Sequence, residues 1–288
     1  MVQYPFKDFF NVTAADILKA NKGVAPGFEL LRVLLAMAIL VCHMYEICYG
    51  VPRSYLAWVR PFRLILLPMF FCLSGFLITG SALRVKSLKV FMTFRLLRIL
   101  PALLVEVTLS AIVLGAILTD YPLLDYYTHK GFYTYFGNII GLIQFQLPGV
   151  FMTNPLHTVN RNLWTLVPEY YCYGIMAAMM LLGIFYRRNV YLAMVVIAGV
   201  AFLLWFPAAS LGSIRLLHAP ALIFCCLFGS LTFVYAEYIP IHWTFFLASL
   251  GLAYLGFYFL PLVPLAILAT TYCTIYLGMI HHAKRHQQ

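Results

Sequence analysis

Eight apolar runs recur along the chain, at residues 29–48, 62–82, 99–118, 165–185, 190–207, 217–235, 242–260 and 262–280. Each reaches or approaches the roughly 20 residues that carry an α-helix across a hydrocarbon layer. Backbone inside such a layer must satisfy its own hydrogen bonds, which leaves helices or a closed barrel. Continuous apolar runs, rather than strictly alternating ones, select helices. The expectation is an all-α integral membrane protein of about eight transmembrane helices. Composition agrees, with 64% hydrophobic and only 10% charged residues, too little charge to cover a soluble domain of this size.

The formal net charge is +10. The basic residues cluster in short segments between apolar runs, where they set topology and touch anionic headgroups. That pattern argues against nucleic acid as a partner and makes the lipid bilayer the first one. The seven cysteines lie in or beside apolar runs without CxxC spacing. They read as small buried hydrophobes, not as a disulfide frame or metal site. Residues 1–28 lack the layout of a cleavable signal peptide.

Charge also orients the chain. The segment between the second and third runs carries Arg84, Lys86, Lys89, Arg95 and Arg98, and the positive-inside rule places it in the cytoplasm. The amino terminus, with Lys7, Lys19 and Lys22, follows it there. Residues 132–151, "FYTYFGNIIGLIQFQLPGVF", are long enough to cross but are interrupted by Asn138, Gln144 and Gln146. A crossing would put Arg187, Arg188, Lys284 and Arg285 outside; a re-entrant or interfacial segment puts them all inside. We adopt the second arrangement. It divides the chain into a cytoplasmic segment 1–28, a transmembrane domain 29–280 and a short basic cytoplasmic tail 281–288, in the plasma (inner) membrane. Arg53, Arg60 and Arg63 break the rule in the first outer loop. They contact headgroups, or they mark an outward-facing site for an anionic or polyhydroxylated ligand.

Four stretches carry candidate chemistry. In "LLRVLLAMAILVCHMY", residues 30–45, Arg32 and His43 are 11 residues apart, just over three helical turns, so they share one face about 16 Å apart along the axis. Ionisable groups sharing a face inside a membrane normally line a polar pathway. Glu46, three residues beyond His43, is within reach of its imidazole. In "PMFFCLSGFLITGSALR", residues 68–84, Ser74-Gly75 permits close approach of a helix or a ligand. In "FRLLRILP", residues 94–101, Arg95 and Arg98 share a face at the start of the third run. With Arg84, Lys86 and Lys89 they suit a phosphorylated ligand, and Glu106 is a candidate partner for Arg98. In "NRNLWTLVPEYYCYG", residues 160–174, Trp164 reads as an interfacial anchor and Glu169 as a carboxylate just inside a span. The topology places Glu169 and His43 toward the same outer side.

Taken together, these motifs resemble the membrane-bound acyltransferase 3 family, whose members O-acylate glycans and other acceptors. The resemblance rests on Arg32 and His43, on "FFCLSGFLI" at 70–78, on Arg95 and Arg98, and on "LWTLVPEYYCY" at 163–173. It covers residues 28–175; the later runs match in hydrophobic character alone. The family's tryptophan motif usually holds an acidic pair, and here Tyr170 leaves Glu169 as its one acid. Members typically have ten core helices, two more than the runs counted here. The resemblance implies an acyl-coenzyme A co-substrate, acetyl-coenzyme A in kind, with no bound cofactor, and a glycan or glycolipid acceptor. It implies His43, Arg32 and Glu169 as catalytic candidates, and Arg95, Arg98, Arg84, Lys86 and Ser74 on the donor side. Glu46, Trp164 and Arg63 fall on the acceptor side. A transporter or exporter using the same polar residues, or an inactive relative lacking the last two helices, are the alternatives; no repeated halves of the kind many transporters show are visible.

Overall fold

The computed structural model describes residues 12–23, 25, 27–50, 60–205, 219–259 and 262–280. Arg53, Lys7 and the 281–288 tail lie outside these residues. The described chain is helical and has no strand beyond two isolated bridges, Thr13 with Pro240 and Thr119 with Val150.

The helices are α1 (Ala14–Ala20), α2 (Gly27–Tyr49), α3 (Arg60–Val85), α4 (Leu88–Leu118), the short α5 (Leu123–Thr128) and α6 (Lys130–Tyr135), α7 (Leu166–Leu181), α8 (Arg188–Trp205), α9 (Ala219–Val234), α10 (Trp243–Tyr258) and α11 (Val263–Ile280). A helix coincides with each of the eight apolar runs. Four of them, α2, α3, α4 and α11, are long and apolar enough to cross a membrane. The other four span 16 to 18 residues, so eight crossings do not follow from helix length.

The third helix differs from expectation at its start. It begins at Leu88 and runs 31 residues to Leu118, so Arg95 and Arg98 stand inside it and not at its threshold. Charge marks where a membrane begins, but Arg and Lys are good helix formers. The helix is instead broken where Lys86 takes a positive φ of 55°, a left-handed conformation suited to ending α3.

α3 is the central helix, packed by α2, α9, α10 and α11. Its contact with α9 is backbone to backbone. A Cβ on Gly75 would lie 1.9 Å from the Cys226 carbonyl oxygen, and one on Gly229 would lie 2.1 Å from that of Cys72. Small residues on both faces permit this approach. Buried hydroxyls finish the seam, where Thr79 donates to the Gly75 carbonyl at 2.8 Å and pairs with Ser230; toward α11, Cys72 Sγ lies 3.0 Å from Thr271 Oγ1. Ser74, offered above as a donor-side residue, is buried in this same packed helix.

α2 lies at the rim. Val33, Leu34, Met37, Val41 and Met44 are each more than half exposed, the apolar outer face that hydrocarbon requires. Its inward face runs through Phe28, Arg32, Leu35, His43 and Glu46.

Residues 119–165 form a cap between α4 and α7. Residues 132–151 contain no crossing helix: α6 passes into a 3-10 turn at Phe136–Ile140 and then into irregular chain. Asn138, fully buried, donates to the Tyr135 and Gln144 carbonyls and accepts from the Gln144 amide. The cap grips α4 where that helix relaxes into a π turn at Ser110–Leu114. A π turn loosens the carbonyl ladder, and Tyr126 and Tyr127 donate to the Ala111 and Ile112 carbonyls at 2.6 and 3.1 Å. Burial pushes the Tyr126 hydroxyl up to about 12, so it remains a donor at neutral pH.

Candidate active site

α2 presents two polar centres on one face. Near its start, Arg32 meets Arg95 and Arg98 of α4: the three guanidiniums lie in electrostatic range of one another and of Tyr173 on α7. The carboxylates acting on Arg32 and Arg95 are Glu29 and Glu169. Glu169 Oε1 accepts from the Tyr173 hydroxyl at 2.5 Å. Arg95 is stacked 5.7 Å from the Phe91 ring centre and reaches Ser81 Oγ at 3.4 Å. The Nε atoms of Arg32 and Arg95 are buried and make no hydrogen bond. Like charges gathered on half-buried helix faces, with donors to spare, form an anion-binding arrangement.

The rest of the basic segment is elsewhere. Arg84, Lys86 and Lys89 are exposed, and Arg84 donates to the Gly23 carbonyl at 3.1 Å. The structure therefore divides the basic segment, placing Arg95 and Arg98 in electrostatic range of Arg32 and leaving Arg84, Lys86 and Lys89 on the surface.

Near the end of α2 the charge balance reverses. Glu46 is buried, 3% exposed, and basic groups from three elements approach it. Arg63 of α3 donates to Oε1. His43 Nδ1 and Arg161 Nη1 lie 3.7 and 3.8 Å from Oε2. Those two distances suit ion pairs and exceed a direct hydrogen bond. Among the three outer arginines, Arg63 thus turns inward. Arg60 caps a helix end instead, donating to the Tyr258 carbonyl at 2.6 Å, and Arg53 lies outside the described residues.

One expected neighbour is found and one expected pairing is corrected. The carboxylate beside His43 is Glu46, while Glu169 turns to Tyr173 and Arg95. Helical spacing accounts for both, since three or four residues bring Glu46 to His43 and Glu169 to Tyr173. Glu106 takes Asn160 as its partner and not Arg98; the same Asn160 amide nitrogen lies 2.9 Å from Ser110 Oγ and from the Tyr135 hydroxyl. Trp164 is half-buried and packs against the main core.

Sequence reasoning did not single out Arg161, Asn160, Tyr135 or Tyr173. The signal for Tyr173 was available in its four-residue spacing from Glu169. Asn160 and Arg161 face partners more than 50 residues away, and no local pattern announces such contacts.

No protein-family model matches the chain, and no solved structure matches it significantly. Among curated proteins, the chain is 35% identical over 148 residues to a protein of Shigella phage Sf6 called O-acetyl transferase. That match takes in 51% of this chain and 43% of the relative, so less than half of the relative's length is represented.

Proposed function

We propose that this protein is a membrane O-acyltransferase that moves an acetyl or other short acyl group from acyl-coenzyme A in the cytoplasm to a hydroxyl of a cell-surface or exported glycan. The observation that carries the proposal is the pairing of a three-arginine centre and a histidine–carboxylate centre on one helix face. The similarity to a protein called O-acetyl transferase supports it, as does the resemblance to acyltransferase 3 proteins.

In this reading Arg32, Arg95 and Arg98 hold the phosphates of the donor, and Glu169 with Tyr173 fixes the spacing of the guanidiniums. Arg32 remains charged throughout and so positions or stabilises oxygen, never acting as a base. The donor's arm extends along the α2 face toward His43, about 16 Å further on.

Because Glu46 faces Nδ1, we assign the ring proton to that nitrogen, which leaves Nε2 to accept a proton. The acceptor hydroxyl gives its proton to Nε2 while its oxygen attacks the thioester carbonyl. The carbon–sulfur bond breaks, and the departing thiolate takes the proton back from the imidazolium. In an alternative sequence, Nε2 attacks the thioester itself and passes the acyl group on. Glu46 stabilises the imidazolium in either route.

The orientation that goes with this chemistry has eight crossings, residues 132–151 re-entrant or interfacial, and the basic α3–α4 turn in the cytoplasm. The test is transfer of radiolabel from [14C]acetyl-coenzyme A to surface polysaccharide in membranes containing the protein. Label in polysaccharide from the parent protein, and none from His43→Ala at equal membrane abundance, is the expected result. Equal labelling by both would overturn His43 as the base; no labelling by the parent would overturn the function and favour a transporter or an inactive protein.

A further inference from the structure

Two half-buried or buried carboxylates on different helices are held by consecutive residues. Glu46 of α2 receives Arg161, and Glu106 of α4 receives Asn160. The Asn160 side chain is fixed on three sides, by Glu106, Ser110 and Tyr135, and Tyr135 is itself fully buried. The second Glu106 oxygen is buried with no hydrogen bond, so that carboxylate relies on few donors, Asn160 and, on its own helix, Ser110. Arg161, by contrast, is one-third exposed and 3.8 Å from Glu46. Its own contact is too loose to define its place. What defines it is its covalent neighbour.

We infer that Glu106 and Asn160 are positioning residues for the His43 centre: by anchoring Asn160, Glu106 sets Arg161 against Glu46. Glu46 Oε2 faces both Arg161 and His43, while Arg63 occupies Oε1. Arg161 thus draws the carboxylate to one side and fixes the angle at which it meets the imidazole. If the Asn160 anchor is lost, Arg161 moves with its loop and Glu46 collapses onto Arg63, away from His43. The groups facing Glu46 are His43 and Cys42 on its own helix, Arg63 on α3 and Arg161 on the 3-10 turn Arg161–Thr165; α11, which also packs on α2, has no charged residue. Arg161 is therefore the one group among these that the cap carries, and Asn160 is its tether.

The inference rests on the proposed acyl transfer, and the two can fail separately. The measurement is acetyl transfer from acetyl-coenzyme A to surface polysaccharide in membranes, for the full chain with Asn160→Ala, Glu106→Gln, Arg161→Gln and the double variant Asn160→Ala/Arg161→Gln, with Arg161→Lys as the conservative rescue. Asn160→Ala is expected to lower kcat about tenfold, and Glu106→Gln, which keeps an acceptor oxygen for the Asn160 amide, severalfold, while KM for acetyl-coenzyme A stays at the parent value in both. In the Arg161→Gln background, Asn160→Ala is expected to cost less than twofold, because the residue it positions is gone. Arg161→Lys recovers part of the rate. A merely structural anchor would give the same fold loss in both backgrounds and would move KM and membrane abundance as well; that outcome overturns the inference. Parent-like kcat in Asn160→Ala also overturns it, leaving acyl transfer standing. If Asn160→Ala fails to accumulate, Glu106→Gln, which keeps the side-chain volume, decides the matter by the same criterion. A parent protein with no transfer overturns the function itself.

Discussion

The two ends of the α2 face handle charge in opposite ways. At the Arg32 end, three guanidiniums gather on half-buried helix faces, with Glu29 and Glu169 as the acids within range. At the His43 end, one buried carboxylate gathers three basic groups from three elements. Guanidiniums that outnumber the acids around them are unfavourable on half-buried surface unless something of opposite sign is bound there, whereas a carboxylate among basic groups already has its opposite charge at hand. In the proposed reading the first centre receives the anionic donor and the second holds the histidine, a division that would suit a two-substrate transfer, with binding energy at one end and proton movement at the other.

Six variants would break or sharpen this contrast. The largest expected effect is on His43, where removal of a positioned base typically costs roughly 10²–10⁴-fold in rate. His43→Ala should lower kcat on that scale while donor binding persists, measured as retention of membrane protein on immobilised coenzyme A. Loss of donor binding in the same variant would mean that the two centres do not divide the work.

Next comes the self-contained centre. Glu46→Ala removes the partner of a half-buried Arg63, and breaking a buried ion pair from one side costs about 3–5 kcal/mol. The expected outcome is a much lower midpoint in a thermal shift assay in detergent. Glu46→Gln should fall between this variant and the parent, since it keeps the volume and an acceptor oxygen.

The Arg32 end should respond in binding and little in stability. Arg95→Gln and Arg98→Gln each remove a charged donor worth about 1.5–3 kcal/mol to an anionic ligand. KM for acetyl-coenzyme A is expected to rise roughly 10- to 100-fold with an unchanged unfolding midpoint. The smallest effect is at Tyr173→Phe, which deletes one hydrogen bond to Glu169, about 1 kcal/mol. It should raise donor KM severalfold and leave kcat alone. An effect on kcat as large as that of His43→Ala would place Tyr173 and Glu169 in the chemistry.

The sequence reading reached some of this and missed the rest for identifiable reasons. Arg32 and His43 share a face because helical phase is a local property, and Glu46 reaches His43 by the same rule. Depth in the membrane, which placed Glu169 and His43 toward the same outer side, does not say which neighbour a side chain meets, and Glu169 meets Tyr173 and Arg95. Arg95 and Arg98 were legible as a pair, but their separation from Arg84, Lys86 and Lys89 depends on the unforeseen run of α4 back to Leu88. Ser74-Gly75 was legible as a place of close approach; that the approaching body is α9, through Gly229 and Cys226, follows from the packing of helices about 150 residues apart.

By itself, then, the sequence determined a helical membrane protein with eight helices on eight apolar runs, and the residues that line one face of the second. These follow from hydrophobicity and from the periods of 3.6 residues per turn and ~20 residues per crossing, which need no partner to be read. The tertiary structure alone decided which charges meet: Arg32 with Arg95 and Arg98, Glu46 with Arg63 and Arg161, and Glu106 with Asn160. Pairing of this kind is set by how helices pack and where loops return, so its information is spread over distant segments. In hydrocarbon, where an unpaired charge is costly, those pairings are also what fix the arrangement of the site.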